Sequence, residues 1–329
     1  MTKMTLKQQV SPTMAPVAEV SPPLTGRQAD KGIASIAMLG DIKIAHSVFA
    51  LPFALLGAMM AARGVANLTV SGRDLAIAIT LVVIAMVAAR TAAMLSNRIL
   101  DRHIDARNPR TRGRPLAAGD VSLRTYTQGL IGALAVFLAC CIAFWLVLAN
   151  VWPLVLCLPV IAWICAYGLF KRFTWWCHLW LGASLALSVP AAAIAVNPDV
   201  VFHLPALWVL AAMVLCWVAG FDVIYALQDV DTDISEGLHS MPSKLGIERA
   251  MWCSRTLHLF AAGLLFQAWW LTPQFGWLFF GAACITAALL MVEHRTVDRW
   301  GTTKMALTFF TLNGVVSCVI GAAGIIELL

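Results

Sequence analysis

Charge is scarce in this chain. Only 12% of its 329 residues are Asp, Glu, Lys or Arg, while 60% are hydrophobic, and the mean hydropathy is +0.82. An ordinary soluble domain carries roughly twice that share of charge, so this composition excludes one and points to a helical protein that crosses a membrane several times. Metal-ligating cysteine spacing is also missing. No pair of the nine cysteines is spaced CxxC, and all nine lie in or beside apolar segments. That pattern gives neither a zinc site nor a disulfide framework, and the thiols read as small buried hydrophobes. The N-terminus lacks the apolar run and small-residue cleavage site of a signal peptide. Residues 1–35 are polar, with prolines at 12, 16, 22 and 23 and lysines at 3, 7 and 31, which predicts a disordered cytoplasmic tail. Residues 36–329 are then one membrane domain. The net charge of +6 is concentrated in loops, so it reports membrane topology, not nucleic-acid binding.

What the chain does have is length of apolar sequence. Runs able to span a bilayer, roughly 20 residues each, fall near 46–65, 76–96, 127–148, 151–170, 176–196, 204–226, 252–271, 275–292 and 305–326. The fold class is therefore all-α, a polytopic transmembrane bundle of nine helices. Basic residues alternate between the loops. Arg98, Arg102, Arg107, Arg110, Arg112, Arg114 and Arg124 fall between the second and third runs. Lys171 and Arg172 follow the fourth, Lys244 and Arg249 the sixth, and Arg295, Arg299 and Lys304 the eighth. The opposite loops carry little charge. The positive-inside rule then puts the N-terminus and the basic loops in the cytoplasm and the C-terminus outside.

The few acids are concentrated at two places. Asn97, Asp101 and Asp105 are spaced four apart at the end of the second run, and Asp222, Asp229 and Asp233 end the sixth. Positions i, i+4 and i+8 share a helix face, as do i, i+7 and i+11. Acids crowded at a membrane boundary are costly unless cations neutralise them. By the loop charges both series emerge on the cytoplasmic face, so they are expected to form one site. Oxygen ligands of this kind suit Mg²⁺, which uses one or two carboxylates together with water and phosphate oxygens. Bridging Mg²⁺ would hold a diphosphate, with nearby arginines and lysines taking up the remaining charge. Arg90 stands inside an apolar run seven residues before Asn97, and an intramembrane arginine is a functional candidate by default.

These residues resemble the UbiA superfamily of intramembrane aromatic prenyltransferases. Asn97-x3-Asp101-x3-Asp105 is similar to the family's first acidic motif and Asp229-x3-Asp233 to its second. The tract Arg110-Thr111-x2-Arg114-Pro115-Leu116, the segment Tyr167-x3-Lys171-Arg172, and the stretches around Tyr225 and His239-Ser240 extend the resemblance from about residue 40 to the end. His239 stands where many members carry lysine. The wording around Phe221-Asp222-Val223-Ile224-Tyr225 is similar to UbiA-like proteins of bacteria that make menaquinone by the futalosine route.

The resemblance implies transfer of a polyprenyl group from an allylic diphosphate to a phenolic acid, either 4-hydroxybenzoate or a dihydroxynaphthoate, in quinone biosynthesis at the bacterial inner membrane. Asn97, Asp101, Asp105, Asp229 and Asp233 would hold Mg²⁺. Lys171, Arg110 and Arg114 would stabilise the leaving diphosphate, with Arg172, His239 and Ser240 beside it. Arg90, Asp222 and Tyr225 would form the acceptor pocket. The lipid bilayer is the expected surrounding, and neither a protein partner nor a nucleic acid is implied. A secondary transporter is the alternative from another class, although its acids belong at the bilayer midplane and not at helix ends. A CDP-alcohol phosphotransferase lacks support, because the glycine and alanine expected between its acids are absent.

Overall fold

The computed structural model describes residues 31–42, 47, 49–63 and 70–329. Among them the regular structure is entirely helical. Ten helices organise the chain: α1 Lys31–Asp41, α2 Leu51–Arg63, α3 Gly72–Arg107, α4 Leu123–Leu148, α5 Trp152–Phe170, α6 Cys177–Val196, α7 Pro205–Ala226, α8 Ile247–Leu271, α9 Trp277–Trp300 and α10 Ala306–Leu328. Of the predicted disordered tail, residues 1–35, residues 1–30 lie outside the described residues and 31–35 instead begin helix α1.

Each of the nine predicted apolar runs corresponds to a helix, α2 to α10. Seven helices are long and apolar enough to cross a membrane among the described residues. The other two are α2, with 13 residues, and α8, whose apolar stretch is interrupted by Arg255, His258 and Gln267. The lipid-facing surface is apolar, with Trp145, Leu146, Leu158, Trp270 and Trp277 exposed, as a protein dissolved in hydrocarbon requires.

Helix α7 is the axis of the bundle. In its span 72% of the apolar window is buried, against 11% for α5 at the rim. Phe53, Leu207, Leu210, Trp217, Phe279 and Ile320 meet in the core that α7 shares with α2, α6, α8, α9 and α10. Close approach is set by small residues. A Cβ on Gly182 would lie 2.4 Å from the Leu215 carbonyl oxygen, so α6 and α7 meet backbone to backbone. Trp217 is fully buried and donates to Asn313 Oδ1 at 2.7 Å.

Two departures from regular helix position the site. Helix α3 has 36 residues, about 54 Å at 1.5 Å per residue, well beyond the roughly 30 Å hydrocarbon core. Asn97 to Asp105 therefore lie on the helix itself, as do Arg98, Arg102 and Arg107, which the sequence pattern places in a loop. The second acidic series is not one continuous helix. Helix α7 stops at Ala226, a 3-10 turn covers Leu227–Asp229, and a short helix, Val230–Ser235, follows.

Candidate active site

One cavity of about 830 Å³ opens between the ends of α3 and α7 and runs down into the bundle. Its lining residues on α3 extend from Val82 to Asp105, about 35 Å along the helix. The deep walls are apolar, including Val82, Met86, Phe144, Leu185 and Ala192. The mouth is polar. Asn97, Asp101 and Asp105 face it from α3, while Asp222, Asp229 and Asp233 face it from α7 and its extension. Both acidic series thus reach one chamber, despite the break in the second.

The loop after α3 folds back over these acids for local reasons. Asn108 ends the helix, its backbone N–H donating to the carbonyls of Ile104 and Asp105. The N–H groups of Thr111 and Arg112 donate to the Asn108 carbonyl at 3.0 and 2.9 Å, and Thr111 Oγ1 donates to the Asp105 carbonyl at 3.1 Å. This tight turn returns two arginines onto the acids. Arg114 Nη1 meets Asp105 Oδ2 at 2.7 Å. Arg110 grips Asp229 through Nε, at 2.8 Å, and Nη2, while its Nη1 donates to Tyr225 Oη at 3.0 Å. Burial by itself lowers the Arg110 pKa, but hydrogen bonds and charge from Asp229 and Tyr225 outweigh it and raise the value above the ordinary one. From the α5–α6 connection, Lys171 Nζ lies 2.6 Å from Asp101 Oδ2, and Arg172 Nη2 lies 3.3 Å from Asp101 Oδ1.

The predicted site residues are mostly brought together. Arg90, Asn97, Arg110, Arg114 and Lys171 line the cavity with the acids, and Tyr225 and Ser240 join them. Arg172 and His239 are not on the wall. Arg172 reaches Asp101 from the outer side, and the His239 backbone N–H donates to the Lys171 carbonyl at 2.6 Å, so histidine at this position holds the lysine segment through main chain and puts no charge in the cavity. Four wall atoms are buried without a hydrogen-bond partner among the described residues, Ser47 Oγ, Arg90 Nε, Asn97 Oδ1 and Ser188 Oγ.

Several wall residues escape the sequence pattern. Asn108 Nδ2 donates to Asp229 Oδ1 at 2.9 Å while its Oδ1 accepts from the Arg110 N–H, so a helix cap doubles as a site residue. Arg98 is buried and paired with Asp41 of α1 at 3.0 Å, and Tyr126 Oη donates to the same carboxylate oxygen at 2.8 Å. Buried His178 bonds Asp222 at 2.7 Å. Phe309, from a π-helical opening of α10, packs its ring 4.2 Å from that of Tyr225. Asx capping is legible in Asn108-Pro109, but the pairing partners of the others are far away in sequence.

The donor set fits Mg²⁺. It is oxygen only, it includes the orphaned Asn97 Oδ1, and its acids are divided between two facing helix ends. No three His, Cys, Asp or Glu side chains form a single metal centre among the described residues. That division suits an ion held by one or two acids on a side, with phosphate oxygens completing its shell.

Comparison with known proteins agrees with this geometry. The family model described as the UbiA prenyltransferase family matches residues 50–315. A 4-hydroxybenzoate octaprenyltransferase of Hydrogenovibrio crunogenus is 30% identical over 70% of this chain and 77% of its own length. The corresponding enzyme of Chromohalobacter salexigens is 30% identical over 65% and 69%. Among solved structures, the apo form of a UbiA homologue from Aeropyrum pernix superposes with a TM-score of 0.75 at 31% identity, covering 87% of this chain and 99% of that one. A homologue from Archaeoglobus fulgidus bound to GPP and Mg²⁺ shares the fold, with a TM-score of 0.65 at 18% identity over 90% of this chain and 99% of its own. With a family match over four-fifths of its length, this chain belongs to the UbiA prenyltransferase family.

Proposed function

We propose that this protein is an integral membrane prenyltransferase that joins a polyprenyl group from an allylic diphosphate to a ring carbon of a phenolic acid. The observation that carries the reading is the cavity of about 830 Å³, with acids and their cations at its mouth and an apolar wall below. Family membership and the prenyltransferase relatives support the same reaction. Asn97, Asp101 and Asp105 on one side and Asp229 and Asp233 on the other would hold Mg²⁺. When bound, the ion supplies positive charge that stabilises the departing diphosphate.

The chain's own residues account for the remaining requirements. Arg110, Arg114 and Lys171 are already poised on the acids, so they share their charge with a diphosphate placed between the two helix ends. Charge directed at the leaving oxygens lowers the barrier to ionisation. Arg172, His239 and Ser240 support that end of the site, Arg172 and His239 from behind the wall. The apolar chamber takes the isoprenoid tail and keeps water from the allylic cation. Arg90, with an unpaired Nε in the wall, suits the carboxylate of the acceptor, since a guanidinium binds carboxylates through paired N–H groups. Tyr225 and Phe309 offer the ring a stacking surface.

In this reading α2 to α10 cross the inner membrane nine times, and the acid clusters face the cytoplasm, as the loop charges favour. 4-Hydroxybenzoate and dihydroxynaphthoates are the acceptor candidates. Membranes carrying the protein, given radiolabelled polyprenyl diphosphate with both acids in competition, are expected to form a prenylated product that EDTA abolishes and Mg²⁺ restores. Mass spectrometry of that product identifies the acceptor. Absence of product with either acid, or product formation indifferent to EDTA, overturns the reading.

A further inference from the structure

Prenylation of a ring carbon leaves a proton to be removed, and the clamp acids are poorly placed to take it. Asp101, Asp105 and Asp229 are each ion-paired with lysine or arginine, and Asp41 with Arg98. Among the described cavity carboxylates, only Asp222 and Asp233 lack an ion pair with lysine or arginine, and Asp233 belongs to the clamp. Asp222 lies seven residues before Asp229, in the last turns of α7 ahead of the 3-10 turn that carries Asp229. Arg90 lies the same seven residues before Asn97, so the two define an inner polar layer beneath the clamp.

Asp222 is 7% exposed, yet it lines the cavity. Its Oδ2 is held by His178 Nδ1 at 2.7 Å. His178 Nε2 accepts the backbone N–H of Met241 at 3.1 Å, which requires a lone pair there. The imidazole is therefore the neutral tautomer with its proton on Nδ1, donating to Asp222. One carboxylate oxygen is fixed by a neutral donor, and the other accepts no hydrogen bond from the described residues. A buried carboxylate so lightly compensated is costly in an apolar bundle unless it acts.

We propose that Asp222 is the catalytic base for the acceptor and that His178 is its positioning residue, an inference that rests on the prenyl-transfer reading above. The prenyl C1–O bond breaks with its electron pair on the diphosphate. A ring π pair forms the new C1–C bond. The proton on that ring carbon passes to the free oxygen of Asp222, and the C–H pair restores aromaticity. The carboxylic acid then returns its proton to water after product release.

The test separates ionisation from condensation. Wild-type protein in detergent is assayed with polyprenyl diphosphate, Mg²⁺ and either unlabelled or ring-deuterated phenolic acid, beside D222N. Asp222→Asn is expected to keep Mg²⁺-dependent diphosphate release. It should lower condensation by about 100-fold or more, the usual worth of a general base, and show a primary deuterium isotope effect that wild type lacks. Normal condensation in D222N, or loss of diphosphate release together with condensation, overturns the proposal. H178N keeps a donor at the Nδ1 position and is expected to retain condensation. H178Q keeps the contact with Met241 alone and should fall toward D222N, and the reverse order also overturns it. A wild type that condenses neither acid rejects the prenyl-transfer reading instead, so the two failures are distinct.

Discussion

Pairing is what distinguishes the acids at the mouth of the cavity from ordinary surface carboxylates. Asp101 is 2% exposed and Asp105 6% exposed, and each has a cation within 2.7 Å. Removing either partner leaves an uncompensated buried charge. Asp101→Ala and Asp229→Ala are expected to lower turnover by about 100-fold or more, the scale of losing a group that stabilises developing charge, while the protein still inserts and purifies. Product formation at fixed Mg²⁺ checks this, and near-normal rates in either variant remove the acid from the metal role. Gly168 gives a finer probe of Asn97. A Cβ there would sit 2.7 Å from Asn97 Oδ1, so Gly168→Ala must displace the amide. The KM for Mg²⁺ should rise several-fold with little change in thermal stability, because alanine also favours the helix by about 1 kcal/mol. Titration of activity against Mg²⁺ measures it.

At the scale of elements, the C-terminal helix is held open by a buried network far from the acids. Asn313 Nδ2 donates to Glu293 Oε1 at 3.1 Å and to the Thr308 carbonyl at 2.9 Å, while its Oδ1 accepts from Trp217. These bonds satisfy the carbonyls freed by the π-helical turn Ala306–Leu312, which aims Phe309 at Tyr225. Such openings occur most often at functional sites. Asn313→Leu takes the Asn313 hydrogen bonds from the Trp217 N–H and Glu293 Oε1, a loss of about 2–6 kcal/mol at 1–3 kcal/mol for each buried group. Thermal unfolding in detergent should show it as a clearly lower midpoint. A weaker link joins α3 to the second acidic loop. Hydrogen bonding and charge from Arg107 hold the Glu236 carboxyl below its ordinary pKa. A depressed value means that the contribution is present at neutral pH and lost as acid protonates the folded form. Arg107 is exposed and Glu236 only partly buried, so the effect is small and screened by salt. Glu236→Gln should shift the unfolding midpoint slightly at pH 7 and not at all below pH 3.

At the scale of the molecule, the loop charges and the cavity make one topological statement. Of the basic residues that the positive-inside rule assigns to the cytoplasm, Arg98, Arg110, Arg114 and Lys171 line the cavity. An alkaline phosphatase fused after Leu329 is expected to be active in the periplasm, and one inserted at Gly237 inactive. The opposite pattern inverts the orientation.

The all-helical membrane bundle was legible in the sequence because twenty apolar residues in a row have few alternatives in a bilayer. The acid spacing on α3 was equally legible, since a four-residue step needs only helical periodicity to define a face. The break at Leu227–Asp229 was not, and neither was the extension of α3 to Arg107, where loop-like charge continues a helix supported by Asp41, Asp105 and Glu236. Sequence alone also left His178, Asn108, Arg98 and Phe309 unmarked. Each acquires its meaning from a partner on another element: Asp222 for His178, Asp229 for Asn108, Asp41 for Arg98 and Tyr225 for Phe309. The sequence by itself determined a helical membrane protein with two acid-rich helix ends, because hydropathy and periodicity are local properties of the chain. Only the tertiary structure decided which cation meets which acid and which carboxylate stays unpaired, because ion pairs and hydrogen bonds depend on distances between segments that packing alone brings together.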